Sequence, residues 1–397
     1  METTFALSHV SRRFRRIALG TPSLWSNICV DGTYPRLDLF LRQGREAPLD
    51  IWWKIPYTHD EASLKRRAVS LRSISLHRKR WTSLRIDEIQ TFHNFGFTAH
   101  DHEGALTDFP ALETLVVAKQ KLKGNNTSVK MAFSTWNTPA LKHLESINFI
   151  PHKNIASSLV TYNVCWTVAC VFDQIFVDDL IAFLAECKSL ECLSVKIAET
   201  EYQITCQTVT LPSLNVFKLE VANCNNAIQT FLKALRMPKL SSLEMTEVYS
   251  TPATLDNFIH STADFASGVQ SLVLHTAINY SSRCVVLPFK VIAKYFCNIT
   301  DLAISVNGVG RLGETEDIRE CRMPALRVLK VKGTDPEDTV RDVLAFLRNR
   351  MDMAGRGQTM PLKLVLDGRP IWNDELRSAV AEGLLHILHI PQMRWRD

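Results

Sequence analysis

Residues 211–221 read "LPSLNVFKLEV", a stretch that sets Leu214, Phe217, Leu219 and Val221 at spacings of three, two and two. The two-residue step is the alternation of a short strand with one buried face, and the Pro and Ser ahead of it mark a turn into that strand. The phrase returns as "FPALETLVV" (109–117), "TPALKHLESINF" (138–149), "CKSLECLSVKI" (187–197), "MPKLSSLEMTEV" (237–248), "GVQSLVLHT" (268–276), "ITDLAISV" (299–306) and "MPALRVLKVKG" (323–333). Fainter copies are "RWTSLRID" (80–87) and "SSLVTYNV" (157–164).

The leading apolar residues Leu112, Leu141, Leu159, Leu190, Leu214, Leu240, Val269, Ile299 and Leu326 stand 18 to 31 residues apart. Most of these intervals lie in or near the range of about 20–29 for leucine-rich repeats. Between the strands, residues 177–187, 225–236, 254–266, 288–297 and 335–351 carry apolar positions at helical spacing, several opening on Asp or Asn as a cap. Strand then helix, repeated, predicts an α/β leucine-rich-repeat solenoid with a parallel inner sheet and outer helices. An ordinary doubly wound α/β domain would also alternate strand and helix, but it does not require one phrase to recur. Asn223 and Cys224 follow "FKLEV" at the place where such repeats put the residue that satisfies turn amides.

With 46% hydrophobic and 22% charged residues over 397 positions, the chain has the composition of a foldable protein, which excludes general disorder. Its net charge of +5 is uneven. Residues 1–80 hold 15 Lys and Arg against 7 Asp and Glu, while the remainder holds 31 against 34. An electrostatic partner is therefore expected at the first fifth of the chain. No secretory signal is apparent, and the apolar segment 164–177 is too short to span a bilayer and contains Asp173. A cytoplasmic or nuclear protein with no membrane partner is expected. The ten cysteines form no CxxC pair and read as reduced thiols, in which case the triplets "NNT" at 125 and "NIT" at 298 carry no glycan.

The opening stretch "LSHVSRRFRRIALGTPSLWSNI", residues 7–28, places Leu7, Val10, Phe14, Ile17 and Ala18 on one face of a helix expected over residues 5–19. Arg12, Arg13, Arg15 and Arg16 fall mostly elsewhere, Gly20 and Pro22 supply a stop, and Trp25 and Ile28 follow as apolar anchors. This stretch resembles the second half of an F-box, as in fungal F-box proteins with leucine-rich repeats, where V-x-R-R-aromatic leads through I-A to T-P-x-L-W. The later "LHRKRWTSLRI" (76–86) resembles the segment joining such F-boxes to their repeats.

The resemblance implies the substrate receptor of a cullin-RING ubiquitin ligase: the F-box docks on a Skp-type adaptor and the repeats hold the target protein. It implies that Leu7, Val10, Phe14, Ile17, Leu24 and Trp25 divide between the adaptor interface and packing of the F-box on the first repeat. It also implies that no residue is catalytic and no cofactor is bound. A full F-box opens with a Leu-Pro-rich helix, and Met1 stands only six residues ahead of Leu7. Adaptor docking is thus expected to rest on half of the usual surface, and the alternative is a repeat scaffold that has lost the adaptor. The expected organisation is a partial F-box-like helical segment over 1–30, a helical connector over 31–80 and an irregular leucine-rich-repeat domain over 81–397.

Rival chemistry is thin. "GVGRLG" (308–313) matches G-x-G-x-x-G after a strand, but the polar "ETEDIRECRMP" that follows carries no long apolar face to open a dinucleotide-binding helix. His100 and His102 lack a second ligand pair at zinc spacing, and His386 and His389 in "LLHILH" read as part of an amphipathic helix. G-x-S-x-G, P-loop and H-E-x-x-H signatures are absent. Nucleic acid is not the expected partner, because arginines on one helix face make a narrow patch; Trp52, Trp53 and Tyr57 near the basic runs at 65–67 and 77–80 are the features that would favour it. Strand alternation leaves Thr114, Val116, Ser194, Lys196, Lys218, Glu220, Glu244, Thr246, Val273, His275, Lys330 and Lys332 as solvent-side positions. Lys196, Lys218, Glu220, Glu244, His275, Lys330 and Lys332 are the partner-binding candidates among them.

Overall fold

The computed structural model describes residues 6, 9–30, 34–54, 69–70, 72–87, 108–118, 135–166, 174–197, 207–222, 226–247, 259–277, 285–286, 289–307, 310–311, 323–332, 341–348, 361–367, 374–383 and 385–390. In chain order the strands are β1 (Asn27–Val30), β2 (Leu49–Trp53), β3 (Trp81–Ile86), β4 (Thr114–Ala118), β5 (His143–Ile147), β6 (Thr161–Trp166), β7 (Cys192–Ile197), β8 (Val209–Thr210), β9 (Val216–Val221), β10 (Leu235–Arg236), β11 (Ser242–Glu247), β12 (Ser271–Ala277), β13 (Val285–Val286), β14 (Asp301–Asn307), β15 (Gly310–Arg311), β16 (Val328–Lys332), β17 (Leu362–Asp367) and β18 (Leu385–Ile390). Fourteen of them form one parallel sheet in chain order, while β8 pairs with β10 and β13 with β15. The fold is therefore α/β with a large parallel sheet, an arrangement compatible with a repeat solenoid. The chain divides into two compact units: residues 1–168 with 179–190, and residues 169–178 with 191–397.

In the first unit, parallel pairing sets Ile28, Ile51, Leu84, Leu115, Leu144 and Tyr162 side by side, all buried. Burying each such side chain contributes about 1.5–3 kcal/mol. Aromatic rings thicken this core: Trp25 meets Phe40 edge-on at 5.0 Å, and Phe109 lies between Trp81 (5.3 Å) and Trp136 (4.3 Å). Two tryptophans use one device. Trp25 donates its indole N–H to the Ala18 carbonyl at 2.6 Å and Trp81 to that of Ile74 at 3.3 Å, in each case seven residues back. Each ring thus satisfies a helical carbonyl while burying its apolar body.

Arg80, from the segment resembling the F-box connector, closes the turn after the helix Tyr34–Gln43. Its guanidinium donates to the carbonyls of Ala47 (3.0 Å) and Gly44 (3.1 Å). A Cβ at Gly44 would lie 3.0 Å from the Phe40 carbonyl oxygen and 3.3 Å from Arg80, so this close approach needs glycine.

In the second unit the buried row runs Leu193, Phe217, Leu243, Leu272, Leu302, Leu329 and Leu364, and a second row runs Val195, Leu219, Met245, Leu274, Ile304 and Val331. The strands β7, β9, β11, β12, β14 and β16 share one way of starting. The lead residues Leu190, Leu214, Leu240, Val269, Ile299 and Leu326 are buried, and each donates its N–H to the carbonyl three residues back, at 3.1–3.4 Å. The carbonyl of the next residue then accepts two N–H groups from the following strand: Asn215 and Val216 on Glu191, Ser241 and Ser242 on Asn215, Gln270 and Ser271 on Ser241, Thr300 and Asp301 on Gln270, Arg327 and Val328 on Thr300. The recurring phrase is thus a recurring turn that satisfies backbone groups by one rule. In the first unit, to which Leu190 also belongs, Leu112, Leu141 and Leu159 obey it too, being buried and donating to Phe109, Thr138 and Ala156.

Every copy of the phrase is a strand, and the expected helices occur at Gln174–Glu186, Asn226–Ala234, 259–261 with Ala263–Ala266, Phe289–Tyr295 and 341–348. Three findings differ from the sequence reading. The sheet begins at Asn27 and takes β2 from the expected helical connector, well ahead of residue 81. The helix expected from residue 5 to 19 is interrupted at Ser11: residues 6, 9 and 10 are helical, Ser11 is extended, and its hydroxyl accepts the Phe14 N–H at 3.3 Å as the N-cap of the helix Arg12–Gly20. His386 and His389 lie on β18, not on a helix: "LLHILH" fits either period, and β17 offers a parallel partner that pairs Leu385 with Leu362 and Ile387 with Leu364. Asn223, Cys224, His100 and His102 lie outside the described residues.

Candidate binding surfaces

The opening segment leaves apolar side chains in water. Ala18 is buried and Trp25 is 1% exposed, which anchors the C-terminal end of the helix Arg12–Gly20 to the first unit. Thr21 seals that end, its N–H donating to Ala18 at 3.2 Å and its hydroxyl to Ile17 at 2.9 Å. Yet Val10 is 65% exposed, Phe14 48% and Ile17 51%, and Leu19 and Leu24 are exposed as well. Among the described residues the remaining exposed large apolar side chains are Trp52, Val69 and Leu76. Arg12, Arg13, Arg15 and Arg16 are all exposed, and no acidic residue occurs from His9 to Ile28. Of the residues singled out in sequence, Trp25 therefore packs inward, Val10, Phe14, Ile17 and Leu24 face water, and Leu7 lies outside the described residues.

The second surface is the open face of the second unit's sheet. Register places Lys196 beside Glu220, and Lys218 between Ser194 and Glu244. Lys196 Nζ meets Glu220 Oε1 at 2.5 Å, and Lys218 Nζ meets Glu244 Oε2 at 2.7 Å. The hydrogen bond to Glu244 holds the Lys218 ammonium above its ordinary pKa. Such exposed pairs contribute about 0–1 kcal/mol each, so their consequence is a locally neutral surface more than a more stable fold. Further along, His275 lies beside Ser305, which lies beside Lys332, and Ala303 lies beside Lys330. The partner-binding candidates thus share one face, four of them as closed ion pairs.

A third feature was visible in the sequence only as Trp52 near basic runs, without its partners. On the first unit's open face Trp52 is 40% exposed, and its indole N–H donates to Asp87 Oδ2 at 2.7 Å. Asp87 Oδ1 also accepts from Arg85 Nε at 2.9 Å, and Arg85 and Lys54 sit 5.5 and 5.3 Å from the Trp52 ring centre. This fixed aromatic–cation cluster has the composition of a binding hot spot. Its signal was the alternation in "LDIWW", which turns Trp53 inward and Trp52 outward.

Reactive groups are subdued. The Cys187 thiol is buried, donates to the Phe183 carbonyl at 3.4 Å and is pushed up to about 12, chiefly by desolvation and then by Glu186, so it does not ionise near neutrality. Burial likewise raises the Tyr162 hydroxyl, which shares a 2.9 Å hydrogen bond with Ser146. Gly310 and Arg311, within the G-x-G-x-x-G match, form a short bridge to Val285 and Val286; Gly308 and Gly313 lie outside the described residues. Among the described residues no three His, Cys, Asp or Glu side chains are grouped to hold a metal ion, and no helix is long and apolar enough to cross a membrane. Comparison with protein-family models finds none that matches the chain, and comparison with curated proteins finds no match.

Proposed function

We propose that this chain is a non-enzymatic, F-box-like leucine-rich-repeat protein, the substrate receptor of a cullin-RING ubiquitin ligase. Its repeats hold a target protein on the open sheet face, and its opening segment docks on a Skp-type adaptor. The observation that carries the adaptor half is the concentration of exposed apolar side chains at Val10, Phe14, Ile17 and Leu24, beside a tryptophan that ties the segment down. Apolar side chains that the fold leaves in water, rimmed by like charges, are what an interface core with a polar rim requires. The recurring buried lead residues and their recurring turns support the repeat half.

Capture of the full chain by purified Skp-type adaptor tests this reading. The wild-type chain is expected to be retained, and the double substitution Phe14→Asp with Leu24→Asp to be lost while the fold stays intact by circular dichroism. Failure of the wild-type chain to bind, or unchanged capture of the double variant, overturns it in favour of a repeat scaffold with no ligase role.

A further inference from the structure

The open face of the second unit changes character along the sheet. From β7 to β11 it is covered by long side chains closed into pairs, Lys196 with Glu220 and Lys218 with Glu244. At β14 the outward positions become small, Ala303 and Ser305, both half-buried. Val273 and His275 flank them on β12, and Lys330 and Lys332 on β16. Small residues between longer ones make a shallow trough along β14, with two lysines along one wall. Lys330 and Lys332 are exposed, as is Lys363 on β17, which lies beside Val328. None of the three has an ion pair among the described residues. The nearby Asp301, at the start of β14, accepts the Thr300 hydroxyl at 2.8 Å.

We propose that this trough binds an extended acidic segment of a protein partner. The inference rests on taking the open sheet face as the target-binding surface, and it names the chemistry of the target. Lys330 and Lys332 are about 6.6 Å apart along one strand face, the repeat of alternate side chains in an extended chain. Carboxylates at every second residue of such a segment meet both ammonium groups, while the intervening small positions let its backbone approach the sheet. The paired lysines of β7 and β9 offer no such attraction, because each already has its carboxylate. A nucleic acid fits less well: Val273, Ala303 and Ser305 offer no ring for base stacking, His275 supplies a single one at the flank, and three lysines track only a few phosphates.

The test is fluorescence anisotropy of the full chain with a labelled peptide of alternating Glu and Thr, against its Gln–Thr counterpart. The Glu–Thr peptide is expected to bind, more weakly as salt rises, and the Gln–Thr peptide not to bind. Lys330→Gln with Lys332→Gln should weaken binding about tenfold or more, Ala303→Tyr should weaken it by filling the trough, and Lys196→Gln with Lys218→Gln should change it less than about twofold. The inference is overturned by absence of binding at low salt, by equal affinity in the Lys330/Lys332 variant, by an equal loss in the Lys196/Lys218 variant, or by a single-stranded oligonucleotide that displaces the peptide and binds more tightly. Adaptor capture of the same preparations keeps the two readings apart. Peptide binding without adaptor capture removes the ligase role and leaves the trough, whereas adaptor capture without peptide binding removes the trough alone.

Discussion

In the second unit, Leu214, Phe217 and Leu219 vanish into the sheet; in the opening segment, Phe14 and Ile17 occupy an equally regular apolar pattern and remain about half exposed. The difference lies in their neighbours. Strands β9, β11, β12 and β14 each have a copy of the phrase on either side, so parallel register delivers an apolar partner to their inward positions. The opening helix has no such copies. It is secured by the small Ala18 and by the Trp25 indole, which leaves its larger apolar residues outside. Periodic apolar residues thus build a core where the repeat supplies partners, and build a surface where it does not.

The largest effects should follow from breaking the buried side of this comparison. Trp25→Ala removes a buried ring together with its indole hydrogen bond to the Ala18 carbonyl, which keeps the Thr21 N–H, and is expected to cost about 3–5 kcal/mol; Leu214→Ala, at a repeat lead position, about 3 kcal/mol. Urea unfolding of the full chain, followed by tryptophan fluorescence and circular dichroism, measures both. Losses below about 1 kcal/mol would mean that neither residue anchors its unit.

A smaller effect distinguishes the first unit by pH. Burial, and then the neighbouring Arg80, hold the His77 imidazole below its ordinary value of 6.5. The unfolded chain therefore binds this proton more readily than the native state, so the contribution is fully present above pH 6.5 and is lost as pH falls below it through the lower native value. His77→Gln should reduce the drop in urea midpoint between about pH 7.5 and pH 5.5. An identical drop in both proteins would contradict the assignment.

Much of this contrast was legible in the residues. The phrase located β3 to β7, β9, β11, β12, β14 and β16, because its two-residue step and its turn are local. The outward positions followed from the same parity. The partners did not: Lys196 meets Glu220 and Lys218 meets Glu244 through register between strands more than twenty residues apart, which no local pattern encodes. β1, β2, β17 and β18 were missed because "NICV", "LDIWW", "LKLVLD" and "LHILHI" are strands held by their neighbours, without the phrase's turn ahead of them as a local marker. In the opening segment the apolar pattern was visible, but which residues faced the protein depended on the Trp25 indole reaching back to Ala18, a tertiary contact.

The central claim, that the exposed apolar residues of the opening segment serve binding and not folding, is tested by one paired measurement. Purified full-length Phe14→Ser with Ile17→Ser should lose affinity for the Skp-type adaptor by about tenfold or more while its urea stability changes by about 1 kcal/mol or less. Unchanged adaptor affinity, or a stability loss as large as that of Trp25→Ala, would contradict it.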